Sequence, residues 1–352
     1  MKIFYYTLLL LLFTSGLNAQ IPDYRIIGAA HQITASFTAD FYLQELVDER
    51  SFQSNLGFVN RGEDRSEKRP LIPECGFLDE ILQRMNGWIE RPDSGAVGVV
   101  AKLRRLYLWE HCDLDRGYVY LEMAFQPQGE REERTVRIRL DGKELLVGRG
   151  HAPRLEAALH RSLQAYNELR LTGGTIAGLQ DDYEYSESRW MGAESFLDLR
   201  EARFKPLRAR PRPLTVEGIP HLHFRNKQHA EHYALVHRGN WFIKASSYFG
   251  EDNHYVQVLE RGRYLFLIDQ PTVSSIFGVP VGNGGGAEKV GILIDMETGL
   301  PKVVTDELMQ ELMEPHPDLQ RKFLFKDILR YPIQLNRVRL VIAEINRRAE
   351  NS

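Results

Sequence analysis

Between Ile33 and Leu46 apolar residues fall on every second position. Ile33, Ala35, Phe37, Ala39, Phe41 and Leu43 point one way; Thr34, Ser36, Thr38, Asp40, Tyr42 and Gln44 point the other. A period of two over this length fits a strand with one face buried and one polar. Such a strand needs sheet partners and a covering layer from later residues.

Those partners follow in order. Phe77, Leu78, Ile81, Leu82 and Met85 recur at helical spacing, and Asn86-Gly87 ends the run. Val97 to Trp109 and Tyr118 to Phe125 read as two further strands, whereas Asp48 to Pro70 has no periodicity and reads as a loop. Val136, Ile138 and Leu140 alternate with polar residues up to Asp141-Gly142, a strong hairpin turn, with Lys143 to Val147 as the return strand. A helix with Leu155, Ala158, Leu159, Ser162, Leu163 and Tyr166 on one stripe closes this half, with Pro153 in its first turn. A right-handed crossover from the first strand through the helix makes the first two long strands parallel. The fold class expected is α+β, with a mixed sheet and packed helices in residues 31–172.

The chain has two cysteines, Cys75 and Cys112. The crossover puts the helix start and the second strand's end at one edge of the sheet, so the two are expected to form a disulfide. Closing that loop would contribute about 3–4 kcal/mol on the entropic model. The compartment implied by the first residues agrees. Lys2 precedes an apolar run from Ile3 to Phe13, and small residues lead to Ala19. This is the pattern of a secretory signal, and a run of eleven residues falls short of the roughly 20 a spanning helix needs. Residues 1–19 are read as the signal, with a mature start at Gln20 and a tail at 20–30. No later run approaches a membrane span, so the expected location is the periplasm or outside the cell. The net charge of −3 over 352 residues argues against a nucleic-acid partner.

Leu46-Val47-Asp48-Glu49-Arg50, Leu56-Gly57, Leu71-Ile72-Pro73 and the helix after them resemble the opening of YajG-type bacterial envelope lipoproteins. The later strand pair, Gly148-Arg149-Gly150 and the helix to Leu169 are similar too, so the resemblance spans roughly Ile33 to Leu169. It implies an envelope-protein fold and no catalytic residues. The chain departs from those proteins in lacking a cysteine at the end of the signal, the usual point of lipid attachment.

Residues 173–217 change character. Arg200, Arg203, Lys205, Arg208, Arg210 and Arg212 stand among Pro206, Pro211 and Pro213, the composition of an extended, solvated linker. Residues 218–352 read as a small strand-rich module: Trp241 to Ala245, Tyr255 to Leu259, Tyr264 to Ile268 and Val290 to Asp295 as strands, the middle two joined as a hairpin. Terminal helices follow, the first capped by Thr305. Gly262-Arg263-Tyr264 and Glu297-Thr298-Gly299 resemble the corresponding turns of uncharacterised exported bacterial proteins, which implies architecture and no activity.

Six histidines lie between His221 and His254. His221 and His223 share a strand face, His229 and His232 have helical spacing, and neutral imidazoles so placed suit zinc. His221, His223, His229 and His232 are therefore the candidate metal ligands. Against this stand the missing HExxH pattern and the commoner explanation of a solvated, histidine-rich hairpin region. Gly282-Asn283-Gly284-Gly285-Gly286 has no following Lys-Ser/Thr, so it reads as a flexible loop in place of a phosphate site. No GxSxG or CxxC pattern occurs, and no catalytic residue or cofactor other than zinc is assigned. The function expected is an exported, non-catalytic envelope protein that binds or scaffolds, with another envelope protein as partner. The alternative is a metal-binding protein or metal-dependent enzyme using His221 to His254.

Overall fold

The structure is a computed structural model that describes residues 36–61, 67–90, 95–111, 116–142, 151–172, 188–216, 218–226, 229–249, 253–270, 275–276, 279–280, 289–322 and 334–351. The expected signal and tail, Cys112, the return strand after Gly142 and the Gly282–Gly286 run lie outside the described residues. The α+β class is as expected.

The first half contains β1 (Phe37–Thr38), β2 (Phe41–Asp48), β3 (Phe58–Arg61), β4 (Glu67–Pro70), α1 (Phe77–Gly87), β5 (Ile89–Glu90), β6 (Val97–His111), β7 (Arg116–Pro127), β8 (Arg134–Gly142) and α2 (His151–Thr172). Its four-stranded sheet has the order β2-β6-β7-β8. β2 and β6 are parallel, as the crossover rule requires, and the other pairs are antiparallel. α1 packs on β2, and α2 packs on β7 and β8. Phe41, Leu43, Val99, Leu103, Leu121 and Phe125 fill the space between sheet and helices with Ile81, Met85, Leu159 and Leu163. Each such buried side chain contributes about 1.5–3 kcal/mol. Tyr166 of α2 stacks on Phe125 at 4.4 Å.

Two bulges change which residues face the helices. In β2 the register slips between Leu43 and Glu45, so Leu46 returns to the core while Glu45 is exposed. In β6 it slips between Leu103 and Arg105. An extra residue reverses strand parity. Leu106 and Leu108 therefore join the helix-side core, and Tyr107 and Trp109 face the second half of the chain.

The stretch expected as a loop from Asp48 to Pro70 contains the antiparallel pair β3–β4. It is joined to β6 at Gly57, which bridges Leu108 in parallel. Gly57 has φ +122°, and a Cβ there would lie 1.7 Å from the Leu108 carbonyl oxygen, so glycine is required. Cys75 is exposed and forms no disulfide among the described residues. The disulfide expected between Cys75 and Cys112 involves a residue outside the described ones.

The second half contains β9 (Met191–Ala193), α3 (Phe196–Arg200), β10 (Lys205–Pro206), β11 (Arg212–Val216), β12 (Ile219–His223), β13 (Ala234–His237), β14 (Asn240–Lys244), α4 (Ser246–Phe249), β15 (Tyr255–Gln257), β16 (Tyr264–Asp269), β17 (Ser275–Ile276), β18 (Val279–Pro280), β19 (Val290–Asp295), β20 (Pro301–Val303), α5 (Asp306–Met313), α6 (Pro317–Lys322) and α7 (Leu335–Glu350). A seven-stranded sheet has the order β10-β9-β13-β14-β15-β12-β11, and a separate one the order β16-β19-β20. The expected hairpin across Glu260-Arg261-Gly262 is present as a single antiparallel bridge between Glu260 and Phe266, while β15 itself pairs with β12 and β14, and β16 with β19. The three-stranded sheet alternates cleanly. Leu265, Leu267, Ile292 and Ile294 face one core, and Phe266 and Leu293 face α5, α6 and α7. Thr305 caps α5 as expected, accepting from the Leu308 N–H at 3.2 Å. Asn346 of α7 completes the free edge of β16, its side chain accepting from Tyr264 N and donating to Tyr264 O, both at 2.8 Å.

Residues 188–216 of the expected 173–217 linker belong to the second sheet and to a core shared by both halves. Phe52, Phe58, Tyr107, Trp109 and Tyr118 pack with Met191, Phe196, Leu199, Phe204, Tyr248 and Leu265. Ser195 forms a capping box with Asp198 at the start of α3. Arg200 donates to the carbonyls of Met296 and Ser51, each at 3.1 Å. The basic composition hid the apolar anchors Leu197, Leu199 and Phe204; Arg203 and Lys205 pair with Glu201 and Glu194 of the same segment, and Arg208, Arg210 and Arg212 are exposed.

Candidate functional site

A cavity of about 300 Å³ lies where the two halves meet. Trp109 of β6 and Tyr118 of β7 are directly opposite in register and stack at 5.0 Å and 11°. Trp109 reaches this cavity because of the β6 bulge, and Tyr118 through the unbroken alternation of β7. Arg139 of β8 lies 5.5 Å from the Tyr118 ring centre and pairs with Glu194, next to β9. Lys205 of β10 lies 3.5 Å from the same carboxylate. The opposite wall holds His232, whose ring lies over Gly192: a Cβ there would come within 2.2 Å of it.

Burial raises Glu194, but the charge and hydrogen bond of Arg139, followed by Lys205, hold its carboxyl below the usual range. Burial pushes His232 down to about 4 against the opposing Glu194 charge, so the imidazole is neutral near pH 7. The cavity thus combines an aromatic wall, fixed charges of both signs and a neutral imidazole.

A second constellation sits at the end of β16. Asp269 is 0% exposed. His221 Nε2 of β12 lies 3.1 Å from Asp269 Oδ1, and His254 Nε2 lies 2.9 Å from Oδ2. Tyr248 donates to Oδ2 at 3.0 Å, and the Gln270 N–H donates to Oδ1 at 2.8 Å. The two imidazoles stack at 4.2 Å and 20°. Burial raises the Asp269 carboxyl; the hydrogen bonds from His221 and His254 outweigh it and hold the group well below the usual carboxylate range. An ionised carboxylate only accepts, so both Nε2 atoms carry the proton in this arrangement.

The four histidines expected to act together are divided between these places. His221 joins Asp269, and the His223 ring stands beside it, 6.1 Å from His221 and 5.8 Å from His254. His229 and His232 line the cavity. His237 is in neither place and stacks on Trp190 at 4.4 Å. Sequence reasoning missed Asp269. It follows the histidine-rich stretch as the last residue of an apolar strand, and only its charge in that strand marked it. Arg139, Glu194 and Trp109 carried no sequence signal as a group.

A family of unknown function, DUF6563, matches residues 223–327. A crystal structure of a Xanthomonas campestris protein assigned to DUF330 aligns at 13% identity over 43% of this chain and 94% of that one, with a TM-score of 0.24. That score is too low to assign a fold. No curated protein matches the chain. The C-terminal half thus resembles proteins of unknown function, and nothing in these comparisons points to YajG-type lipoproteins.

Proposed function

We propose that the protein is an exported envelope protein that binds a small polar ligand in the cavity between its halves. The observation that carries the binding reading is the convergence of Trp109, Tyr118, Arg139, Glu194, Lys205 and His232 on that cavity. Clefts between structural units, with apolar walls and a few fixed polar groups, are where small ligands bind most often. The aromatic pair suits a flat or apolar face, and Arg139 and Lys205 suit an acidic group. Export rests on the pattern from Lys2 to Ala19. Among the described residues no helix is long and apolar enough to cross a membrane.

Native mass spectrometry on protein recovered from the envelope or medium tests both parts. The expected mass begins at Gln20 and carries a small non-covalent adduct that Arg139→Ala loses while keeping its circular dichroism. A mass retaining residues 1–19 in exported material overturns the export reading. A chain without an adduct, or one whose adduct survives Arg139→Ala and Lys205→Ala together, overturns the cavity reading.

A further inference from the structure

We propose that His221, His254 and Asp269 form a binding site for one divalent transition-metal ion of the zinc type, distinct from the cavity between the halves. One ligand atom from each of the three lies within 4.8 Å of the others. In a tetrahedral zinc site with bonds of about 2.0–2.1 Å, ligand atoms stand roughly 3.3 Å apart. The observed imidazole–carboxylate separations of 3.1 and 2.9 Å are already within a few tenths of an ångström of that. Metal binding through Nε2 therefore requires each imidazole to carry its proton on Nδ1 instead of Nε2, with a small adjustment of the cluster and no rearrangement of strands.

Charge supplies the second argument. The Asp269 carboxylate is buried, and its ion-pair partners among the described residues are His221 and His254, with no lysine or arginine. Hydrogen bonds from those imidazoles, Tyr248 and the Gln270 N–H meet the carboxylate, with no permanently charged cation beside it among the described residues. Burying a charge is expensive unless it is paired or coordinates a metal. A divalent cation supplies the missing charge. Imidazole with carboxylate oxygen favours zinc and its first-row neighbours over magnesium, which prefers oxygen alone.

The surroundings fit a ligand set held in place. His221 sits on β12, between β11 and β15, and Asp269 ends β16, so their backbones are fixed by two different sheets. Tyr248 is 1% exposed and holds one Asp269 oxygen. It is a positioning residue of the kind that orients metal-binding carboxylates. Three protein donors leave a coordination position open to water. His229 and His232 belong to the cavity and take no part.

The test uses the full chain, stripped with chelator, dialysed and titrated with zinc or cobalt(II) alone. One equivalent should bind, and the cobalt form should show the strong visible bands of a four- or five-coordinate nitrogen and oxygen site. Asp269→Asn and His254→Gln should each weaken binding by about 100-fold or more, and Tyr248→Phe by about 10–100-fold. His229→Gln and His232→Gln should leave it within about 3-fold, and magnesium should not compete. Absence of saturable zinc and cobalt binding overturns the proposal, as does equimolar binding that survives Asp269→Asn. Should that variant not fold, X-ray absorption of the zinc-loaded wild-type chain decides: imidazole scattering supports the site, and its absence overturns it. Binding lost in His229→Gln but kept in His254→Gln would also overturn it. The ligand adduct at the cavity is read separately, so either proposal can fail without the other.

Discussion

The Arg105 guanidinium of β6 lies 3.2 Å from the Asp198 carboxylate at the start of α3, joining the first sheet to the second half of the chain. The same nitrogen lies 2.8 Å from Glu201, and the guanidinium stands 4.7 Å over the Tyr120 ring. Arg105 is 5% exposed, so this is a buried charge cluster. Burial raises Asp198 above the usual carboxylate range, with Arg105 and Ser195 opposing it.

Removing one partner of a buried pair leaves the other charge uncompensated. Arg105→Met should therefore lower stability by about 3–5 kcal/mol at pH 7, read from urea unfolding. A change below about 1 kcal/mol would show that the pair acts as an exposed one.

The shared core makes the chain one cooperative unit across residues 188–216. Limited trypsin should leave the bonds after Arg200 and Arg203 intact in the first cuts, because their backbone belongs to α3 and the turn that leads from it to β10. Tryptophan fluorescence and far-ultraviolet circular dichroism should report one coincident unfolding transition. Two protease-resistant pieces divided between Arg200 and Arg212 would restore the linker.

His232 supplies a pH dependence with a defined sign. Its folded pKa of about 4 lies below the ordinary 6.5, so the unfolded chain takes up the proton first. Its contribution is fully present above about pH 7, falls between pH 6.5 and 4, and is level below that, for a loss of about 3 kcal/mol. His232→Gln should flatten this limb in pH-dependent urea titrations. An identical acid limb in both proteins would remove His232 as its source.

Gly57→Ala places a methyl group into the Leu108 backbone at a φ of +122°. The expected cost is about 3 kcal/mol or more. Gly129 has φ +86° with open space around its Cβ position, so Gly129→Ala should cost only about 1 kcal/mol. Equal losses in thermal or urea unfolding would mean that the Gly57 contact relaxes freely.

Much of the secondary structure was legible in the sequence, because helix and strand periods are local. The α1 stripe Phe77, Ile81 and Met85 is buried where the spacing puts it, as are Leu159 and Tyr166 on α2 and Val338, Ile342 and Ile345 on α7. The parallel pairing of β2 with β6 follows from chain handedness and also needs no tertiary information. The strand pair β3–β4 was hidden because its charged residues show no alternation.

What the sequence by itself determined was the set of local elements, the α+β class and the Thr305 cap, each set by residues a few positions apart. Tertiary structure alone decided which side chains meet. The bulge at Leu103 and Arg105 turned Tyr107 and Trp109 from the helix-side core toward the second half, a parity change that no composition marks. Sheet pairing brought His221, His254 and Asp269 together from three segments, two of them in different sheets. His229 and His232 lie closer to His221 in the chain and were carried to the cavity instead. Periodicity constrains the face a residue occupies on its own strand or helix. The partners across that face depend on sheet order and register, which packing of the whole chain selects.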